Sequence, residues 1–164
     1  MRMLFVYAAF VLLAGAVSAG PDRPAPDSLR IFPGDPEDRA PLGFGWGPPE
    51  RDRDFTFAWL EHHEGDLWMA RARRGDAVVT VKMFPYYLTY RQQRVALYVN
   101  GRLAGETIVP RRHDWVFREH RFTVPATYWR EGRNRLILRC AYVGRHRGRN
   151  LALAVQWVEV RPIP

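Results

Sequence analysis

The dipeptide Asn100-Gly101 divides two strand-like runs, RVALYV (94–99) and Leu103 to Val109. A type I′ turn needs φ > 0 at both central residues, and Asn-Gly is the natural pair that best accepts this. A hairpin here commits both flanks to strand. The period-2 signal of a half-buried strand recurs along the chain. Phe55, Phe57 and Trp59 alternate with Asp54, Thr56 and Ala58. Leu67 to Ala72, Ala77 to Phe84, Trp115 to Val124, Leu136 to Tyr142 and Leu151 to Val160 complete the set. Turn residues punctuate these runs, and no convincing amphipathic helix interrupts them. Only Pro125 to Arg133 has room for a short helical turn. About eight strands joined by short turns predict an all-β antiparallel sandwich or barrel. The last run sets Leu151, Leu153, Val155 and Trp157 against Ala152, Ala154, Gln156 and Val158. It reads as a central strand buried on at least one face. Trp59 and Trp157, in phase with Phe57 and Val155, read as buried.

The N-terminus has a different composition. Arg2 precedes an apolar run from Leu4 to Ala14, and Val17-Ser18-Ala19 ends in small residues before Gly20. Residues 1–19 therefore read as a secretory signal, and the protein as secreted or periplasmic. An uncleaved anchor is the competing reading, since the run is close to the lower limit for a membrane span. Residues 20–42, rich in Pro, Gly, Asp and Arg, read as a flexible arm, and residues 43–164 as the β-sandwich domain. Cys140 is the only cysteine, so no internal disulfide can form. Its strand context, LILRCAY, predicts a buried thiol.

The net charge of +8 comes almost wholly from arginine, Lys82 being the only lysine. Phosphate-bearing partners would be attracted, above all to GRHRGR in the basic loop at 143–149. An exported protein rarely meets nucleic acid, so an anionic envelope polymer is the better target for that patch, with a solvated loop as the plain alternative. Adjacent His62 and His63 point to opposite faces of an extended segment and make a poor chelate. Nothing in the spacing of Glu50, Asp52 and Asp54 demands calcium. No nucleophile motif or recognisable acid–base constellation appears, so no enzymatic activity and no cofactor are expected. Six tryptophans remain. Sugar rings stack on flat aromatic faces, and polar neighbours bond the hydroxyls. Trp46, Trp129, Tyr86, Tyr87 and Tyr90 fall in loops and are the candidates; plugging the end of the sandwich is their alternative role.

Five segments in order carry a resemblance: GFGWGPPE (43–50), a strand ending in Ala58-Trp59, RVALYVNGRLAGETIV (94–109), TVPATYWREGRNRLIL (123–138) and GRNLALAVQWVEV (148–160). Together they resemble the galactose-binding-domain-like jelly rolls appended to bacterial envelope glycosyltransferases and sulfatases. The resemblance implies an antiparallel jelly-roll β-sandwich and a non-catalytic carbohydrate-binding or packing role. The opening motif falls on Trp46 and Glu50, and the closing one on Arg149 to Trp157. Glu50 then stands to pair with an arginine such as Arg149, either closing the fold or lining a binding rim. The expected ligand-binding set is Trp46, Glu50, Tyr86, Tyr87, Trp129 and Arg149. The expected partner is a carbohydrate or envelope polymer. The alternative is an accessory module that docks on an envelope protein. The membrane is reached only through an uncleaved signal sequence.

Overall fold

The computed structural model describes residues 29–86, 91–110 and 116–163. Its strands are β1 (Leu29–Ile31), β2 (Trp46–Asp52), β3 (Phe55–Leu60), β4 (Glu64–Arg71), β5 (Ala77–Pro85) and β6 (Gln93–Val99). There follow β7 (Arg102–Val109), β8 (Arg118–Val124), β9 (Gly132–Cys140), β10 (Gly144–His146), β11 (Arg149–Leu151) and β12 (Leu153–Pro162). One sheet runs β2-β3-β12-β5-β8, with β1 also on β12; the other runs β4-β9-β6-β7. All pairings are antiparallel. The expected jelly-roll sandwich is the fold.

The two sheets bury one core between them. Leu60, Val79, Val81, Met83, Leu153 and Val155 of the first sheet belong to the same cluster as Leu67, Val95, Leu97, Leu136 and Leu138 of the second. Each alternates with polar or outward residues along its strand, which is why the period-2 signal found these strands. Cys140 joins this core at 2% exposure, and burial pushes its thiol up to about 12. β12 lies between β3 and β5, the central position its sequence implied.

Two details of β12 depart from simple alternation. The register with β5 shifts between Val155 and Trp157, so Val155 faces Met83 but Trp157 faces Lys82. This bulge turns Trp157 to the outer face, where Arg30 stacks on it at 4.3 Å. A break at Ala152 does the same to Leu151, which joins an outer cluster while Leu153 stays inside. The expected single row Leu151–Leu153–Val155–Trp157 is therefore split over two faces.

The hairpin at Asn100-Gly101 has φ of 50° and 83° at the two residues, as a type I′ turn requires. The Asn100 side chain also reaches the 126–135 segment, bonding Tyr128 O, Asn134 Oδ1 and the Arg135 N–H. A short 3₁₀ turn occupies Ala126–Tyr128. The basic stretch at 143–149, read as a loop, is a second hairpin: β10 pairs with β11, and Arg147 and Gly148 hold φ of 46° and 86°.

Residues 29–42, read as part of a flexible arm, pack on the sandwich. β1 pairs with β12, Ile31 is buried, and Arg30 bonds Glu159 at 2.9 Å. Pro41 to Phe44 covers the outer edge of β4, with Trp68 N donating to Pro41 O at 2.8 Å and Asp66 N to Phe44 O at 3.0 Å. An edge strand left bare would template pairing with other chains; this one is capped. The expected leader at 1–19 and the start of the expected arm, to residue 28, lie outside the described residues.

Candidate functional site

On β3 the bulkier side chains face outward. Thr56, Ala58 and Leu60 occupy the inner phase, whereas Phe57 and Trp59 join a second apolar cluster with Phe84, Leu151 and Ala154. Phe55, Tyr86 and Phe117 pack over that cluster and are half-buried. The rings form a continuous network. Phe117 meets Phe55 at 5.2 Å, Phe57 at 5.6 Å and Phe84 at 5.9 Å between centroids. Phe57 meets Trp59 at 6.1 Å, and Trp59 meets Tyr86 at 6.1 Å, both edge to face. Such geometry is favourable for aromatic quadrupoles. A sheet that needed only one buried face would carry polar residues here.

Strand β2 places acids beside this surface. Glu50 is opposite Phe57 and Asp52 opposite Phe55, so both carboxylates share the outer face. Glu50, Arg51, Asp52, Phe57, Trp59 and Phe117 line an open groove of about 390 Å³. That volume lies within the usual range for a small-ligand site. Arg149 closes the Trp59 end. Its guanidinium donates to Glu50 at 2.7 Å and to Glu61 at 2.6 and 3.0 Å. Its hydrogen bonds to Glu61 and then to Glu50 raise its pKa further, so the cation is permanent. Asp52, at the other end, is exposed and has no such partner among the described residues.

The residues expected from sequence are distributed unevenly. Glu50 and Arg149 meet, as the motif reading anticipated, and Glu50 lines the groove. Tyr86 stands beside Trp59, with its hydroxyl 3.4 Å from Arg145 O. Trp46 is half-buried against the main core, and its indole N–H donates to Asp66 O at 2.7 Å. That bond latches the opening motif onto β4, so Trp46 closes the fold. Two glycines make room for the latch. Gly45 has φ of 92°, and a side chain there would strike Glu64 O; at Gly47 one would strike the Glu61 carboxylate.

Trp129 departs most from expectation. It is 1% exposed, sits in the main core, and carries Arg71 over its ring at 4.4 Å. It offers no face to a ligand. The loop assignment was sound, but the loop folds inward around Asn134. Tyr87 and Tyr90 lie outside the described residues. The sequence reading missed Phe55, Phe84 and Phe117 as site residues; Trp59 and Trp157, read as buried, are 4% and 6% exposed, though Trp59 lies with Phe57 in the outer cluster rather than between the sheets. The alternation of Phe55, Phe57 and Trp59 was visible; which face of the sheet they served was not. Among the described residues, no three His, Cys, Asp or Glu side chains converge where a metal ion could sit.

No protein-family model matches the chain, and no curated protein matches it in sequence. Solved structures do match. The Podospora anserina GH26-CBM35 β-(1,4)-mannanase superposes with a TM-score of 0.57 at 12% identity, over 84% of this chain and 28% of the mannanase. The family 35 carbohydrate-binding module from Clostridium thermocellum gives 0.55 at 10% identity, over 83% of this chain and 98% of the module. The module CBM6cm-2 from Cellvibrio mixtus lichenase 5A, solved in complex with cellotriose, gives 0.54 at 11% identity, over 83% and 98%. The chain thus spans little more than a quarter of the mannanase but almost the whole of each isolated module. At these identities the likeness is one of fold: the chain has the galactose-binding-domain-like jelly-roll sandwich shared by family 35 and family 6 carbohydrate-binding modules.

Proposed function

We propose that this protein is a non-catalytic glycan-binding module and that the outer-face groove is its binding site. The observation that carries the reading is the aromatic network on the outer face of the first sheet, where the half-buried Phe55 and Phe117 overlie the buried Phe57 and Trp59, flanked by Glu50 and Asp52. Aromatic faces suit the C–H faces of a sugar ring, and the carboxylates accept hydrogen bonds from its hydroxyls. The shared fold with carbohydrate-binding modules supports the same reading. The sequence's leader pattern extends it to an exported protein acting on an envelope or extracellular glycan.

Affinity electrophoresis through gels containing mannan, xylan or mixed-linkage β-glucan tests this. The full chain should be retarded by at least one polymer. Asp52→Asn, at an exposed position, should weaken the retardation with the melting temperature unchanged, and Phe117→Ala should weaken it at a temperature where urea and thermal unfolding show the variant still folded. Retardation by no polymer, or retardation untouched by both variants, would remove the groove from the account.

A second reading is docking on an envelope protein. It draws on strand β7, the end strand of its sheet, where Leu103 and Ile108 are 46% and 52% exposed. Loss of partner capture on Ile108→Lys, with glycan binding absent throughout, would favour it.

A further inference from the structure

The β10–β11 hairpin carries Arg145, His146, Arg147 and Arg149 within five residues. Arg149 is engaged by Glu50 and Glu61. The other three are exposed, and among the described residues no carboxylate pairs with any of them. Arginines crowded on a short hairpin raise the local positive potential, which draws anions to it. Each guanidinium offers a planar fork of donors that matches a carboxylate, sulfate or phosphate.

This charge is built into the end of the groove. Tyr86 donates to Arg145 O at 3.4 Å, and its ring stands 6.3 Å from His146 and 6.1 Å from Trp59. Leu151, at the base of the hairpin, belongs to the same outer cluster as Trp59. An unpaired acid, Asp52, thus borders the Phe55 end of the groove, and the hairpin that carries Arg145 and Arg147 stands beyond the Trp59 end, joined to it through Tyr86.

We propose that the groove takes a glycan bearing an anionic substituent, oriented with that substituent against Arg145, His146 and Arg147 and its sugar rings over the aromatic floor. This rests on the glycan-binding reading and adds the ligand's charge and its direction. The hairpin supplies long-range attraction that salt screens, whereas the aromatic floor supplies a term that salt does not weaken.

The test uses matched probes that differ in charge alone: oligogalacturonate against its methyl ester, and carboxymethyl cellulose against hydroxyethyl cellulose. Single-stranded DNA serves as an anion without sugar stacking of this kind. Affinities are measured for the wild-type chain, for Arg145→Gln/Arg147→Gln and for Phe117→Ala. At low salt at least one acidic probe should bind about tenfold tighter than its neutral partner, the size expected of a few exposed charge contacts. That preference should shrink at high salt and vanish in the double-glutamine variant, which keeps its affinity for the neutral probe. Equal binding of acidic and neutral probes, or a preference that survives the double variant, overturns the proposal while leaving the glycan reading intact. DNA bound as tightly as the acidic glycan, with no effect of Phe117→Ala, also overturns it, making the hairpin a general polyanion patch. Failure of every probe, charged or neutral, brings down this inference and the glycan reading together.

Discussion

Replacing Arg149 with methionine should cost stability that can be worked from the structure. The substitution keeps an unbranched apolar stem and removes three charge-assisted hydrogen bonds, two to Glu61 and one to Glu50. The side chains are 41%, 28% and 31% exposed, so the pairs are half-screened rather than desolvated. Exposed pairs contribute about 0.2–1 kcal/mol each, and the shared geometry places these two near the upper end. Two carboxylates left facing one another add a small repulsive cost. The sum is about 1.5–2.5 kcal/mol, or a fall in melting temperature of roughly 5–10 °C for a domain of this size. Urea unfolding at low and at 1 M salt, in a double-mutant cycle with Glu61→Gln, measures the coupling directly. A coupling energy of about 1 kcal/mol that shrinks in 1 M salt is expected, because the Debye length there is about 3 Å. A coupling below roughly 0.3 kcal/mol at low salt would refute the reasoning and leave Arg149 a bystander.

Other positions give independent checks. Asn134 is fully buried and bonds Asn100 Nδ2, Arg130 N, Arg130 O and Gly132 O; Asn134→Ala should cost about 3 kcal/mol in urea unfolding, because it strands several buried polar groups. The His120 pKa is lowered by burial and then by Arg118, so the unfolded state binds the proton more readily than the fold. Its contribution is present above the unfolded value of 6.5 and is lost as pH falls through the lower folded value. His120→Gln should flatten the pH dependence of stability between 6.5 and that lower value. The Cys140 thiol, pushed up to about 12 by burial, should resist a thiol reagent at pH 8 in the folded protein and react at once in denaturant.

All eight strands carrying period-2 alternation were legible in the sequence and are present, the one expected from Trp115 to Val124 being described as Arg118–Val124. The four that escaped lack that signal. WGPPERD of β2 has two adjacent prolines, which a sheet accepts only at an edge, and β2 is an edge strand. β1, β10 and β11 have three residues each, too few for any periodicity to register. The candidate site was half legible for a related reason. Alternation assigns Phe57 and Trp59 to one phase but does not say whether that phase faces the core. Here Leu60 and Ala58 took the inner face, and the larger rings were left to cover the outer one. The Glu50–Arg149 pair was reachable because both ends lay in recognisable motifs. The burial of Trp129 was not, since it depends on Asn134 drawing the 130–134 turn inward through hydrogen bonds that no spacing rule encodes.

The most direct test of the central claim is a map of where sugar binds. Isotope-labelled protein would be titrated with oligosaccharides of whichever polymer retards it most, and the backbone amide shifts followed residue by residue. The account predicts perturbations concentrated on Glu50 to Trp59, Phe84, Phe117 and the β10–β11 hairpin, with the β4-β9-β6-β7 face unmoved. Shifts confined to that second face, or to the turn holding Asn100 and Asn134, would contradict it.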